Sequence, residues 1–218
     1  MNAAVLLFPG LNRESDAMRA LQQASGKKPT LVWHAEHDLP AGTDLVLVPG
    51  GFSYGDYLRC GAIAGRANIM DAVRKHAARG GLVIGICNGF QILCESGLLP
   101  GVLMRNRDLR FICKMQHLKV ERADTSFTRA YKKDQVIKVC IAHGEGNYEC
   151  DDETLKRLEG EGRVAFRYCD ETGAVGGAAN PNGSRNDIAG IYSDKLNVLG
   201  MMPHPENLID PLIGGIDG

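Results

Sequence analysis

Three short stretches carry residue types that could together perform nucleophilic acyl transfer. In GLVIGICNGFQIL (residues 81–93), an apolar run ends in Gly85-Ile86-Cys87-Asn88-Gly89, and a helix-like pattern follows. A strand, a sharp turn bearing a reactive residue and a helix, with small residues flanking the turn, make a nucleophile elbow. The helix N-terminus behind Cys87 favours the thiolate, which is the reactive form. A thiol nucleophile needs a base, and the base needs a group to orient it. In MMPHPEN, His204 follows an apolar run, with Glu206 two residues on. Side chains two apart on an extended segment share a side, at about 3.3 Å rise per residue. Pro203 and Pro205 favour that extended form on either side of the histidine.

The third stretch is Pro49-Gly50-Gly51-Phe52-Ser53, at the end of another apolar run. Acyl transfer needs backbone N–H donors aimed at the developing oxyanion, each worth about 2.7–4 kcal/mol of barrier. The Gly51 N–H and the Asn88 N–H, the latter on the residue after the nucleophile, are the expected donors. His143-Gly144-Glu145-Gly146-Asn147-Tyr148 also has the look of a functional loop, although a capped turn accounts for it equally. Cys140 and His143 are spaced like a ligand pair, but no second pair supports them, so no metal site is expected. Neither GxGxxG nor the phosphate loop ending in Lys-Ser/Thr is present, so there is no nucleotide fingerprint.

The elements that must position these residues can be read from hydrophobic periodicity. Residues 3–8, 30–35, 44–48 and 82–86 read as short strands, the first, third and fourth as near-continuous apolar runs. Residues 14–24, 64–79 and 89–95 read as helices, the second with Ile69, Met70, Val73 and Ala77 on one face. Apolar strands separated by helices predict a mostly parallel central sheet covered on both sides. Beyond about residue 105 the pattern changes. Residues 111–121 have interleaved strand character, 173–185 form a Gly/Asn/Pro-rich loop, and 188–192 and 197–202 return as strands. No repeat or long linker divides the chain, so one domain over residues 1–218 is expected.

The remaining bounds are chemical. Lys+Arg 25 against Asp+Glu 26 gives no electrostatic argument for nucleic acid or an anionic membrane. Seven cysteines without a CxxC pair read as reduced thiols of a cytoplasmic protein. The N-terminus lacks a signal-peptide pattern, and no apolar run approaches membrane-span length.

GICNGFQ, the PGG turn and the downstream His-x-Glu resemble the triad-type, class I glutamine amidotransferases. FSYGDYLRCGAIA, RNRDLRFICK, IAHGEGNY, NPNGSRNDIAGI and VLGMMPHPEN are similar, more narrowly, to the family of glutaminase subunits of phosphoribosylformylglycinamidine synthase. The resemblance runs over nearly the whole chain. It implies a flavodoxin-like α/β three-layer sandwich and hydrolysis of L-glutamine to glutamate. The ammonia would pass to an ATP-dependent synthase subunit that converts formylglycinamide ribonucleotide to its amidine in purine biosynthesis, with a small third subunit in the complex. It also implies Cys87 as nucleophile, His204 as general base and acid, and Glu206 as its orienting carboxylate. Gln91 matches a glutamine-contacting position, and Gly50, Arg110 and Phe111 are expected around the same pocket. No cofactor is expected in this chain, ATP and magnesium being used by the partner. One departure is PGLNRESD, where a PGSN-C-like segment is usual. A PfpI-type cysteine hydrolase is the rival within enzymes, and the His-x-Glu after the last strand speaks against it. A non-catalytic scaffold that keeps the fold is the rival of another class.

Overall fold

A computed structural model describes residues 1–218. The elements in chain order are β1 (Ala3–Leu7), α1 (Glu14–Ser25), β2 (Thr30–Trp33), β3 (Leu45–Val48), α2 (Ile69–Ala78), β4 (Leu82–Ile86) and α3 (Asn88–Glu95). Then come β5 (Val102–Met104), β6 (Ile112–Val120), β7 (Val136–His143), β8 (Asn147–Glu149), α4 (Asp152–Gly160), β9 (Val164–Cys169), β10 (Ile188–Tyr192) and β11 (Val198–Met201). Nine strands form one sheet in the order β2-β1-β3-β4-β11-β10-β9-β6-β7, and β5 pairs with β8 apart from it.

The sheet has two halves with different logic. The five strands β2, β1, β3, β4 and β11 are mutually parallel. β1, β3 and β11 are buried along almost their whole length. Right-handed crossovers then place α1, which leads back to β2, on the opposite face from α2, which leads forward to β4. From β11 onward every pairing is antiparallel. This half curls until β7 meets the chain just after β11. Cys140 and His204 form an isolated antiparallel bridge there, and the His204 N–H donates to the Cys140 carbonyl at 2.9 Å. A second apolar core, with Leu118, Ile141, Phe166, Tyr168 and Tyr192, fills the curl, separate from the core under the parallel half.

Local chemistry sets the helix ends. α1 begins with Glu14 and Asp16, favourable at the positive end of the helix, and ends on Gly26 in the left-handed conformation. α4 is capped by Asp151, whose carboxylate accepts from the Thr154 N–H at 2.7 Å. The helix expected over residues 64–79 is shorter. Ala64–Arg66 is a separate single turn, because Ala67 is extended with ψ 153°. Gly65 is pressed against the backbone of Glu95 and Ser96, and Arg74 holds its carbonyl at 2.8 Å. No helix is long and apolar enough to cross a membrane.

In parallel strands all C-terminal ends fall at one sheet edge. Val48 pairs with Gly85, Gly85 with Gly200, and Ile86 with Met201. The PGG turn, Cys87 and the His204 segment therefore emerge side by side.

Candidate active site

Cys87 sits at the junction of β4 and α3 with φ 53° and ψ −109°, a conformation that non-glycine residues seldom adopt. The strain is held from both sides. The Cys87 N–H donates to the Met201 carbonyl at 2.8 Å, and its own carbonyl accepts from Phe90 and Gln91 in the first turn of α3. A side chain at Gly89 would overlap the Val48 carbonyl, and one at Gly85 would lie 2.6 Å from the Gly89 oxygen. Those two glycines are what let strand and helix close around the thiol. Cys87 is 6% exposed and lines a pocket of about 360 Å³ at the sheet edge.

His204 lines the same pocket. Its Nδ1 lies 2.7 Å from Glu206 Oε1, while Nε2 is buried without a hydrogen-bond partner. Burial opposes protonation of His204, but negative charge at Cys87 and Glu206 outweighs it and holds its pKa well above the usual histidine value. Gly50 is buried between the two reactive side chains. A Cβ there would stand 2.9 Å from His204 Cε1 and 3.3 Å from Cys87 Cβ. Thiol, imidazole and carboxylate are thus brought together in the order an acyl-transfer site needs.

Gly51 lines the pocket with φ 142°. Asn88 opens α3, so its N–H has no acceptor within the helix. The Asn88 side chain, fully buried, fastens the two turns to each other: Oδ1 accepts from the Ser53 N–H at 3.1 Å, and Nδ2 donates to Gln91 Oε1 at 2.8 Å. Gln91 in turn donates to the Glu145 carbonyl at 2.6 Å, tying the elbow helix to the turn after β7. Phe111, 56% exposed, stands at the pocket wall. Arg110 is not brought to it. Its side chain is exposed, and its carbonyl accepts from Asn106 Nδ2 at 2.8 Å.

Other lining residues escaped the sequence reading as site members: Asn12, Arg13, Asp56, Cys60 and Cys113. Asn12 and Arg13 come from the PGLNRESD loop after β1. His143 and Glu145 belong to the HGEGNY stretch, which the structure places at the pocket rather than in a remote turn. His143 is 3% exposed, and burial, aided by the nearby His204, pushes its pKa down to about 3. No group of three or more His, Cys, Asp or Glu side chains is arranged to hold a metal ion.

Comparison with known proteins agrees with this geometry. The chain matches the CobB/CobQ-like glutamine amidotransferase domain family over residues 1–214. It is 68% identical over 218 residues to phosphoribosylformylglycinamidine synthase subunit PurQ of Bradyrhizobium diazoefficiens, covering 100% of this chain and 94% of that protein. It superposes on a chain of the PurLQS structure from Thermotoga maritima with a TM-score of 0.86 and 44% identity, over 100% of this chain and 93% of the other. A glutamine amidotransferase from Thermotoga maritima, 13% identical, shares the fold with a TM-score of 0.61, over 94% of this chain and 76% of the other.

Proposed function

We propose, for a chain that belongs to the CobB/CobQ-like glutamine amidotransferase family, that it is the glutaminase subunit of a phosphoribosylformylglycinamidine synthase. It hydrolyses L-glutamine and supplies the ammonia to a synthase subunit, in a complex with a small third subunit, as in the assembly its structural relative comes from. The observation that carries the chemistry is His204. Its Nδ1 is committed to Glu206 at 2.7 Å, while its unpartnered Nε2 lies in a buried pocket shared with the elbow thiol.

The mechanism follows from that placement. Cys87 Sγ attacks the γ-carboxamide carbon, and the carbonyl oxygen becomes an oxyanion held by the Gly51 and Asn88 N–H groups. His204 Nε2 gives a proton to the departing nitrogen, so ammonia leaves and a γ-glutamyl thioester remains on Cys87. His204, now neutral, takes a proton from water, whose oxygen displaces the thiolate and yields glutamate. Glu206 holds the imidazole in orientation through both steps. This chain uses no cofactor of its own; ATP and magnesium act at the synthase subunit. Seven free cysteines fit work in the reducing cytoplasm.

The test is Cys87→Ala in the assembled complex. Glutamine-dependent synthesis is expected to vanish while synthesis from added ammonia survives. Loss of both activities would assign the cysteine a structural role and favour the scaffold reading. Glutamate release with and without the synthase subunit shows how far the free chain is active alone.

A further inference from the structure

Arg13 does little for the helix it begins. It holds the N-cap position of α1 without capping it, where Ser, Thr, Asp and Asn are preferred. It also sets a positive charge at the positive end of the helix, which is unfavourable. Its ion-pair partner is Asp16, three residues on at 3.0 Å, with the two side chains 37% and 40% exposed, a pairing worth little.

Two cavities meet at this side chain. One is the pocket that holds Cys87 and His204. The other, of about 320 Å³, is lined by Glu206 together with Asp16, Cys140 and Leu208. Arg13 is the residue common to both linings. Its stem runs beside the reacting centre: a Cβ at Gly50 would stand 3.5 Å from Arg13 Cγ and 2.9 Å from His204 Cε1. The second cavity also holds an unmet acceptor. Glu206 gives Oε1 to His204, but Oε2, on a side chain 3% exposed, has no hydrogen-bond partner. Leaving such an atom unpaired is costly. Of the donors around that cavity, Arg19 is held by Asp210 at 3.2 Å and Asn207 Nδ2 is turned to Cys140 Sγ. Arg13 has N–H groups to spare, since Nη1 alone is engaged. Burial opposes its charge, but Asp16 and then Glu206 outweigh that, so Glu206 is within electrostatic reach.

We propose that in the working complex the Arg13 guanidinium leaves Asp16 and takes Glu206 Oε2 through the cavity the two residues share. Arg13 is then a positioning residue: it fixes the carboxylate that fixes His204 and touches no reacting atom. The assignment rests on the glutaminase reading given above, and the experiment separates the two. His204 must give a proton to the leaving nitrogen and later take one from water, while Cys87 and Glu206 both hold it protonated. A cation on the far oxygen of Glu206 offsets part of that hold and brings the imidazole nearer the balance both steps need. The charged and titratable groups facing the His204–Glu206 pair are Cys87 on the elbow, Cys140 and His143 on β7, and Arg13, Asp16 and Arg19 around the start of α1. Asp56 and Glu145 face it across the substrate pocket.

Glutamate release by the assembled complex is measured against pH for wild type, Arg13→Met, Arg13→Lys and Asp16→Asn. Arg13→Met is expected to lose about tenfold in kcat with KM nearly unchanged, because the lost contact is to the triad and not to substrate. The alkaline limb, where His204 gives up its proton, should move up by about half a pH unit to one unit, since Glu206 then holds the imidazolium unopposed. Arg13→Lys keeps the charge and should restore both. Asp16→Asn releases the guanidinium from its surface partner, so turnover should stay at or above the wild-type rate. If Asp16→Asn instead loses what Arg13→Met loses, Arg13 serves only that surface pair and the proposal falls. A Met variant with raised KM and an unmoved limb makes Arg13 a substrate contact and overturns it as well, as does a Met variant with wild-type kinetics. Ammonia-dependent synthesis shows that each variant assembles; if Arg13→Met fails that control, Arg13→Gln decides by the same readings. A wild-type complex that releases no glutamate from glutamine overturns the function itself, not just the part given to Arg13.

Discussion

The His204 N–H and the Cys140 carbonyl, 2.9 Å apart, join the end of β11 to β7, the last strand of the curled antiparallel half. The bond places the imidazole from outside the parallel sheet, and Glu206 then orients it from within the same short segment. Glutamine turnover should therefore depend on the carboxylate even though it never touches substrate. In Glu206→Gln the charge that helps hold His204 protonated is gone, and the amide can present either its nitrogen or its oxygen to Nδ1. Glutamate release by the complex should drop by at least about 100-fold, as when other triad carboxylates become amides. Synthesis from ammonia, measured beside it, should persist. A loss of only severalfold would remove Glu206 from the mechanism.

Gly50 offers a steric test of the same assembly. Its φ lies outside the left-handed range, so alanine meets no backbone penalty there. The added methyl would instead stand 2.9 Å from His204 Cε1, closer than carbon atoms approach, and 3.3 Å from Cys87 Cβ. Gly50→Ala should push imidazole and thiol apart and cut glutamine turnover by about 10²-fold, since small displacements of reacting groups are costly. Thermal unfolding should shift only slightly. Activity close to wild type would mean that the two side chains do not need this spacing.

Much of the parallel half was legible because β1, β3 and β4 are near-continuous apolar runs, the first two leading into Pro9 and Pro49. The elbow could be seen in Gly85 and Gly89, whose missing side chains are the condition for Cys87 to turn. His204 and Glu206 were legible as a pair from the His-x-Glu spacing, but not through the extended segment expected of it: Pro205 opens a single 3-10 turn over Pro205–Asn207, and that turn brings Glu206 Oε1 to 2.7 Å from His204 Nδ1. The antiparallel half was harder. Val136–His143 does alternate, with Ile137, Val139 and Ile141 inward, but nothing local says that its end returns to the site. That proximity comes from the curl, a sum of twist over five strands, which no short window contains. For the same reason Asp56 and Glu145, nearly ninety residues apart, could not be placed in one pocket from spacing. Arg110 was expected by resemblance of its neighbourhood, yet its side chain is turned out to solvent.

Asn88 should matter beyond its backbone N–H. Its buried amide is the fastening between the turn after β3 and the elbow helix, through Ser53 and Gln91. Asn88→Ala leaves the Ser53 N–H and the Gln91 carbonyl without those partners. Stranding a buried polar group costs about 1–3 kcal/mol. In a chain of this size that is a fall in Tm of about 2–12 °C, which calorimetry or circular dichroism can read. Glutamine turnover should fall as well, because the turn bearing Gly51 is no longer held against the elbow. A variant with unchanged Tm and unchanged turnover would show that water replaces the amide without cost.

The last expectation concerns acid. Asn182 fixes the state of His143 by a chain of deductions. The Ser184 N–H donates to Asn182 Oδ1 at 3.0 Å, so the amide nitrogen is the end that faces Gly146 O at 2.8 Å and His143 Nε2 at 3.0 Å. His143 Nε2 is therefore an acceptor, and the neutral ring carries its proton on Nδ1. Burial, then His204, depress its pKa from the ordinary 6.5 to about 3. Below pH 6.5 the unfolded chain takes up a proton that the native site refuses. Stability should then fall as pH drops through the window from 6.5 to about 3, by about 1.4 kcal/mol per unit at the steepest. Urea unfolding of wild type and His143→Gln across that range measures it. Glutamine can still offer Asn182 an acceptor but does not titrate, so the variant's stability should decline less steeply with acid. Parallel curves for the two proteins would mean that His143 charges in the folded state as readily as in the unfolded chain.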